Sequence, residues 1–270
     1  MRDIESDNFI TELDVEFFST ETKGSRHEKR QVIREDPLTI EIKDIGTYTL
    51  MCTPSDKLAM AVGFAFTEGL ISSVDDINVL MKCPDDPQVI RMQLAEGKNQ
   101  SEQQRNLLIV SSCGICGSEN IKQIIEGLPK VTDSLRISNE ELSSNTKELW
   151  DKQETFKKTG ASHAVGLMRS GDMLAMGEDI GRHNAFDKAI GICLLKRIPT
   201  AGTLAVLSGR VSFELAVKAA RAGVELIAAV SAPTTLAIEV ADNCNITLCG
   251  FVRGKDATVY CHPHRITSPV

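Results

Sequence analysis

A layered α/β domain, preceded by a smaller α+β unit, is the fold class this sequence predicts. Three observations carry the prediction. The last third alternates strands with helices, the signature of parallel crossovers. Residues 30 to 98 read as strand, strand, helix, strand, strand. The polar run Glu96-Gly-Lys-Asn-Gln-Ser-Glu-Gln-Gln104 marks a boundary between the two. The domains expected are therefore an arm over 1–29, a small α+β domain over 30–100 and an α/β domain over 101–270.

Residues 1–29 are polar and charged and read as a flexible arm or an edge strand. Pro37–Lys43 and Gly46–Met51 alternate around the turn Lys43-Asp-Ile-Gly46, a hairpin pattern. A helix follows Thr53-Pro54. Its stretch Lys57–Glu68 is apolar nearly all round and is expected to be buried. Asp76–Met81 and Gln88–Leu94 are further strands. In the second part Leu107–Val110 is an apolar strand, followed by Ser111-Ser-Cys-Gly-Ile-Cys-Gly-Ser118 and a helix from about Glu119 to Gly127. Asn139–Lys158 is polar and helix-prone, with a solvated face. Then come strand Thr203–Leu207, helix Phe213–Arg221, strand Val224–Val230, helix Thr235–Asp242 and strand Ile246–Val252. Ligands of such a sheet bind outside the carboxyl ends of its strands. The loops there are Ser208-Gly-Arg210, Ser231-Ala-Pro-Thr234 and Phe251-Val-Arg-Gly-Lys-Asp256.

The formal net charge of -7 argues against a general nucleic-acid binder, which carries a basic surface. No apolar run is long enough to span a bilayer, and Met1–Asp7 is too polar for a signal peptide. A cytoplasmic location is expected, without nucleic-acid or membrane partners. Most of the eight cysteines have apolar neighbours and read as small buried hydrophobes, Cys193 and Cys249 among them. Only Cys113 and Cys116 have the C-x-x-C spacing. Their place between a strand and a helix start favours a thiolate, the nucleophile of sulfur exchange. Gly114 and Gly117 let the backbone turn there.

The spacing allows a dithiol redox centre, half of a zinc site or a persulfide carrier. Zinc needs two further ligands, for which Cys261-His-Pro-His264 is the candidate segment, and no second C-x-x-C exists. A zinc deaminase would require H-x-E ahead of P-C-x-x-C. Here serines precede the cysteines, and His163 lies after them without the Glu. Deamination is excluded on that ground, and no resident metal is expected.

Gly177–Gly191 concentrates Glu178, Asp179, Arg182, His183, Asn184, Asp187 and Lys188 around a helix start. It reads either as a solvated loop with Asn184 as helix cap or as backbone approaching an anionic or heterocyclic ligand. In Ser208-Gly-Arg-Val-Ser-Phe-Glu214, Gly209 would approach a phosphate, Arg210 pair with it and Ser212 cap the helix. Phe251–Asp256 offers an aromatic, two cations and a glycine, and equally reads as a hairpin turn.

These pieces together resemble the formate dehydrogenase accessory sulfurtransferases, the FdhD family. The matching segments are Glu35–Ile40, Val62–Leu70, Ser111–Gly117, Thr159–His163, Glu178–Lys188, Ser208–Glu214, Ala232–Ala237 and Gly250–Gly254, in order from about residue 35 to the C-terminus. The resemblance implies a sulfurtransferase that takes sulfur from a cysteine desulfurase as a cysteine persulfide. It would pass that sulfur to the molybdenum cofactor bearing two pterin guanine dinucleotides and so activate formate dehydrogenase. It further implies a cytidine-deaminase-like layered α/β/α domain without the zinc site. The persulfide cysteine matches Cys113, with Cys116 as partner. The cofactor segment matches Phe251, Val252, Arg253, Gly254, Lys255 and Asp256, with Arg210 and His183 as further expected contacts. A homodimer is the expected assembly. Two alternatives remain, a cofactor-binding chaperone without sulfur chemistry and a dithiol oxidoreductase.

Overall fold

The computed structural model describes residues 9–21, 23–95 and 118–267, with residues 118–120 described by backbone only. It is a mixed α/β structure with several sheets. Strands β1 (Ile10–Ser19) and β2 (Gly24–Ile33) pair antiparallel over their whole length. The N-terminal stretch expected as an arm or edge strand is thus, from residue 10, a hairpin of its own. What holds it is electrostatic rather than apolar, which is why its hydrophobic pattern is faint. Lys29 reaches Glu12 at 2.7 Å, and the Arg26 guanidinium lies 4.4 Å from the Phe17 ring centre.

Strands β3 (Asp36–Ile42), β4 (Gly46–Cys52), β5 (Ile77–Lys82) and β6 (Val89–Leu94) form a four-stranded sheet in the order β4–β3–β6–β5. Helix α1 (Lys57–Thr67) covers it, burying Met60, Val62 and Phe64 with Leu38, Ile40, Ile90 and Met92. This is the strand–strand–helix–strand–strand unit read from the sequence.

Among the described residues the remaining α-helices are α2 (Ser118–Glu126), α3 (Asn139–Lys152), α4 (Glu154–Thr159), α5 (Arg182–Leu195), α6 (Phe213–Arg221) and α7 (Thr235–Asn243). The short strand β7 (Ile137–Ser138) pairs with the last strand, β14 (Ile266–Thr267). Between them lies a six-stranded sheet built from β8 (His163–Arg169), β9 (Asp172–Asp179), β10 (Leu204–Leu207), β11 (Leu226–Ala229), β12 (Thr247–Arg253) and β13 (Asp256–Cys261). Its order is β13–β12–β11–β10–β8–β9. The three central strands are parallel, as the strand–helix alternation requires. The flanks are antiparallel, and the β8–β9 hairpin is absent from the sequence reading. Its marker is the turn Ser170-Gly171, both residues left-handed (φ 51 and 83), the geometry of a tight hairpin turn. Side chains of one sheet face, such as Val165, Ala205 and Ile227, pack under α5, α6 and α7. Those of the other, such as Ala164, Val206 and Ala228, pack under Leu142 and Leu149 of α3.

The two sheets are joined through helices α1 and α5. A Cβ at Gly63 would stand 1.8 Å from the Asp187 carbonyl oxygen, and one at Gly191 would stand 1.7 Å from that of Ala59. Backbones approach that closely only where both helices present glycine. Two buried ion networks flank the crossing. Lys188 Nζ lies 2.7 Å from Asp179 and donates to the Thr53 carbonyl, while Thr53 N donates to Asp179. Lys218 Nζ lies 2.9 Å from both Asp187 and Glu68 and donates to Thr67 Oγ1. Burial opposes the Lys218 ammonium, but the two carboxylates outweigh it and lift it above the usual lysine range.

A third buried charge fixes the opposite edge of the six-stranded sheet. Glu225, fully buried, accepts from Thr132 Oγ1, Ser134 Oγ and the Ser134 and Leu135 amides, and Arg265 donates to it at 3.3 Å. Burial acts to raise its carboxyl, yet the Thr132, Leu135 and Ser134 hydrogen bonds overcome it and hold the group at about 2. Its folded value lies below the ordinary carboxylate range, so its stabilisation is complete above that range and is lost as pH falls toward 2. Glu225→Gln should therefore cost about 3 kcal/mol at pH 7 and much less near pH 2.5. Urea melts at the two pH values check it, and an equal cost at both would refute the assignment.

Candidate functional site

The carboxyl ends of β9, β10, β11 and β12 and the amino end of β8 meet at one edge of the six-stranded sheet. His163 opens β8 opposite Asp179, the last residue of β9. Asp179 orders the turn that follows, accepting from the Gly181 amide and from Asn184 Nδ2. Gly181 is then the N-cap of α5, and Arg182 and His183 stand in its first turn. Asn184 does not cap this helix. It is the third residue of the helix, where its amide also donates to the Met51 carbonyl.

After β10, Ser208 Oγ accepts from the Ala164 amide, which pins the next loop to β8. Gly209 passes against His163, so closely that a Cβ there would be 3.2 Å from Nδ1. Arg210 is exposed. Ser212 occupies the N-cap position of α6 but makes no capping bond, because its hydroxyl lies 3.0 Å from His183 Nε2. The same nitrogen is 2.8 Å from Glu214 Oε2, and the His183 hydrogen bond holds the Glu214 carboxyl below the usual range. Burial first, then the charges of Arg182 and Arg210, push the His163 imidazole below its usual range. The edge therefore brings together His163, Arg182, His183, Arg210, Ser212 and Glu214. Of these, His183 and Arg210 are the expected contacts. His163 and Arg182 were visible only as members of motifs.

The other charged residues of Gly177–Gly191 hold the scaffold. Glu178 accepts from the Thr155 and Phe156 amides at the start of α4 and from Ser162. Asp187 and Lys188 are buried in the two networks between the sheets. The reading of this segment as a solvated loop is thus corrected, since every one of its residues is buried or half-buried.

Phe251–Asp256 is the end of β12 and its turn into β13. Phe251 is exposed and left-handed (φ 51), its amide donating to the Ser231 carbonyl. Val252 is buried in the core on the α3 face, so a ligand contact from this position has to come from backbone. Arg253 Nε donates to the Val230 carbonyl. Ser143 and Asn139 of α3 donate to the Gly254 and Lys255 carbonyls. Asp256 pairs with Arg253 across the turn. The segment borders the same edge and leans from it onto α3.

Cys113 and Cys116 lie outside the described residues, as does the strand expected over 107–110; α2 begins at Ser118, directly after the motif. Five of the six described thiols are poor nucleophiles. Burial pushes Cys52, Cys193, Cys244 and Cys261 up to about 11 and Cys249 up to about 12. Of the segment weighed for zinc, His262 bonds the Asp242 carbonyl and His264 the Asp133 carboxylate. A cleft of about 320 Å³ lies at the opposite edge of the sheet, lined by Arg136, Asn145, Met168, Arg169 and Leu204 among others. Among the described residues, no helix is long and apolar enough to cross a membrane.

Comparison with known proteins fixes the lineage. The model of the FdhD/NarQ family matches residues 33–267. The chain belongs to the FdhD/NarQ family. Within the family, it is 37% identical to the sulfur carrier protein FdhD of Bordetella bronchiseptica over 241 residues, 88% of this chain and 87% of that one. It is 37% identical to the sulfur carrier protein FdhD of Sulfolobus acidocaldarius, over 86% of this chain and 89% of that one. In fold it is similar to a crystal structure of a formate dehydrogenase accessory protein from Desulfotalea psychrophila. That likeness has a TM-score of 0.76 at 22% identity and covers 96% of this chain and all of the other.

Proposed function

We propose that this protein is a sulfur carrier serving formate dehydrogenase. In this reading the Cys113 thiolate attacks the terminal sulfur of a persulfide on a cysteine desulfurase. The donor's S–S bond breaks, the donor leaves as thiolate, and a Cys113 persulfide forms without net redox change. The acceptor is the molybdenum cofactor with two pterin guanine dinucleotides, bound at the carboxyl edge. On release, the Cys116 thiolate attacks Cys113 Sγ and the outer sulfur departs as hydrosulfide to the acceptor. The disulfide left behind is returned to two thiols by a cellular dithiol reductant. A cytidine-deaminase-like domain, a homodimer and a cytoplasmic location belong to the same proposal.

The observation that carries this reading is the edge itself, two arginines and two histidines gathered where a sheet of this kind binds ligands. A large anionic acceptor suits that edge on an otherwise acidic protein. The relatives named sulfur carrier proteins support the sulfur chemistry. The high values of Cys52, Cys193, Cys244, Cys249 and Cys261, together with the burial of Cys83, favour the C-x-x-C pair as the nucleophile. Intact-mass analysis after incubation with a desulfurase and cysteine should show one added sulfur, mapping to the peptide of Cys113. Cys113→Ser should abolish both that adduct and activation of formate dehydrogenase. Retention of both would sink the assignment. Full activation by a Cys113/Cys116 double serine variant would favour a chaperone, and disulfide reduction without sulfur transfer an oxidoreductase.

A further inference from the structure

Helix α3 lays one stripe against the six-stranded sheet, and the buried positions of that stripe are Leu142, Asn145 and Leu149. An asparagine thus stands where the stripe calls for an apolar residue. Asn145 is 5% exposed, and its side-chain amide makes no hydrogen bond to another described residue. An unpaired buried amide is destabilising, so the position asks for a partner. Asn145 lines the cleft of about 320 Å³ at the amino end of β10, opposite the carboxyl edge. The apolar lining of that cleft includes Ile137, Met168 and Leu204, all buried. Two charged groups on its walls have bonding capacity left. Arg169 Nη2 donates to the Pro199 and Ala201 carbonyls at 2.6 and 2.8 Å, which fixes the guanidinium and leaves Nε and Nη1 unused. No carboxylate among the described residues pairs with it. Glu141 Oε2 accepts from the Ser138 amide at 2.8 Å, which leaves Oε1 unused. Arg136, by contrast, is closed by Asp133 at 3.0 Å.

A guanidinium offers donors only, a carboxylate acceptors only, and an amide both. Set over one apolar lining, the three match a ligand that carries one negative charge, one positive charge and an apolar body. We propose that this cleft binds a free α-amino acid with an apolar side chain. Its carboxylate takes the unused donors of Arg169, and its ammonium takes Glu141. Its side chain lies on Met168 and Leu204. Asn145, one helical turn from Glu141 and on the same face, supplies the hydrogen bond that completes both the ligand and itself. A simple anion would leave Glu141 opposed to it, and a neutral apolar molecule would leave the Asn145 amide unpaired. The site has no part in the sulfur-carrier reading and stands or falls without it.

The test is isothermal titration of the full chain with L-leucine, L-methionine and L-phenylalanine in turn. At least one should bind with a Kd below about 1 mM. Glu141→Gln keeps the bond to Ser138 and loses the charge, so it should weaken binding about tenfold. Asn145→Leu should abolish binding and raise the urea midpoint together, because it completes the apolar stripe of α3. Arg91→Gln, on the four-stranded sheet, should bind as the wild type does. Binding weaker than about 1 mM by all three amino acids would overturn the site. So would wild-type affinity in Glu141→Gln. Glu141 is exposed, so its variant gives the answer even if Asn145→Leu does not fold. Isocaproate, which is leucine without its amino group, should bind about tenfold more weakly than leucine or worse. Equal affinity would overturn the amino acid as the ligand. The titration contains no sulfur donor, so its failure and the failure of sulfur transfer are separate results.

Discussion

Gly191→Ala should destabilise this protein by roughly 3 kcal/mol or more, a large effect for one methyl group. The added Cβ would stand 1.7 Å from the Ala59 carbonyl oxygen and 2.9 Å from the Gly63 nitrogen. Those atoms belong to helix backbone, so no side chain can rotate away. Helices α1 and α5 would have to separate, opening the apolar contacts on both sides of the crossing. The matching change Gly63→Ala meets Asp187 O at 1.8 Å and should cost as much. The two effects should fall well short of additive, since either alone already parts the helices. Urea denaturation of both single variants and the double variant measures this. A loss below about 1 kcal/mol in either single variant would show that the crossing is looser than described.

The second large effect is expected at Lys218. Removing its ammonium by Lys218→Met leaves Asp187 and Glu68 facing each other in a buried site, which should cost about 3–5 kcal/mol. Burial already raises the Asp187 carboxyl, with the Lys218 charge as the main force against it. Without that charge, Asp187 should take up a proton on folding. The variant's stability should therefore recover as pH is lowered toward 5, and by more than that of the wild type, in which the Lys218 charge opposes the same rise. Chemical denaturation at pH 5 and pH 8 reads the difference. A cost that is the same at both values would mean that lost packing, not uncompensated charge, is the cause.

Much of the architecture was legible because its signals are local. Thr203 to Val252 alternates continuous apolar strands with helices, one buried along most of its length and one on positions 237, 240 and 241, and tertiary packing has little to override. Strands β8 and β9 were missed for the opposite reason. Ala164-Val-Gly-Leu-Met168 and Met173-Leu-Ala-Met176 are short apolar runs that fit a buried helix or a strand equally well, and only their pairing decides. The β1–β2 hairpin was obscured because cross-strand charge pairs hold it instead of an apolar face.

The site divided along similar lines. His183 and Arg210 stood out as polar residues in glycine-bounded loops beside strand ends, and the structure brings them to one edge. Asp187 and Lys188 stood in the same motif and carried the same apparent promise. They lie four and five residues beyond His183, on the side of the helix turned toward α1 and the core. His183 and Asp187 share a helix face and meet Glu214 and Lys218 of α6 one turn apart, so what separates them is depth below the edge, which sequence adjacency does not reveal. The link between Glu214 and His183 was equally hidden, since it joins the first turns of two helices 31 residues apart.

Helix α5 carries the edge residues Arg182 and His183 in its first turn and the seam residues Asp187, Lys188 and Gly191 in the turns that follow. Site and seam are thus parts of one rigid rod. The two sheets cannot open or close about a hinge to admit a ligand without dragging the edge with them and breaking buried ion pairs. Accommodation of ligands of different size is left to the loops after β10, β11 and β12, and the receiving surface keeps a fixed frame while its borders adjust.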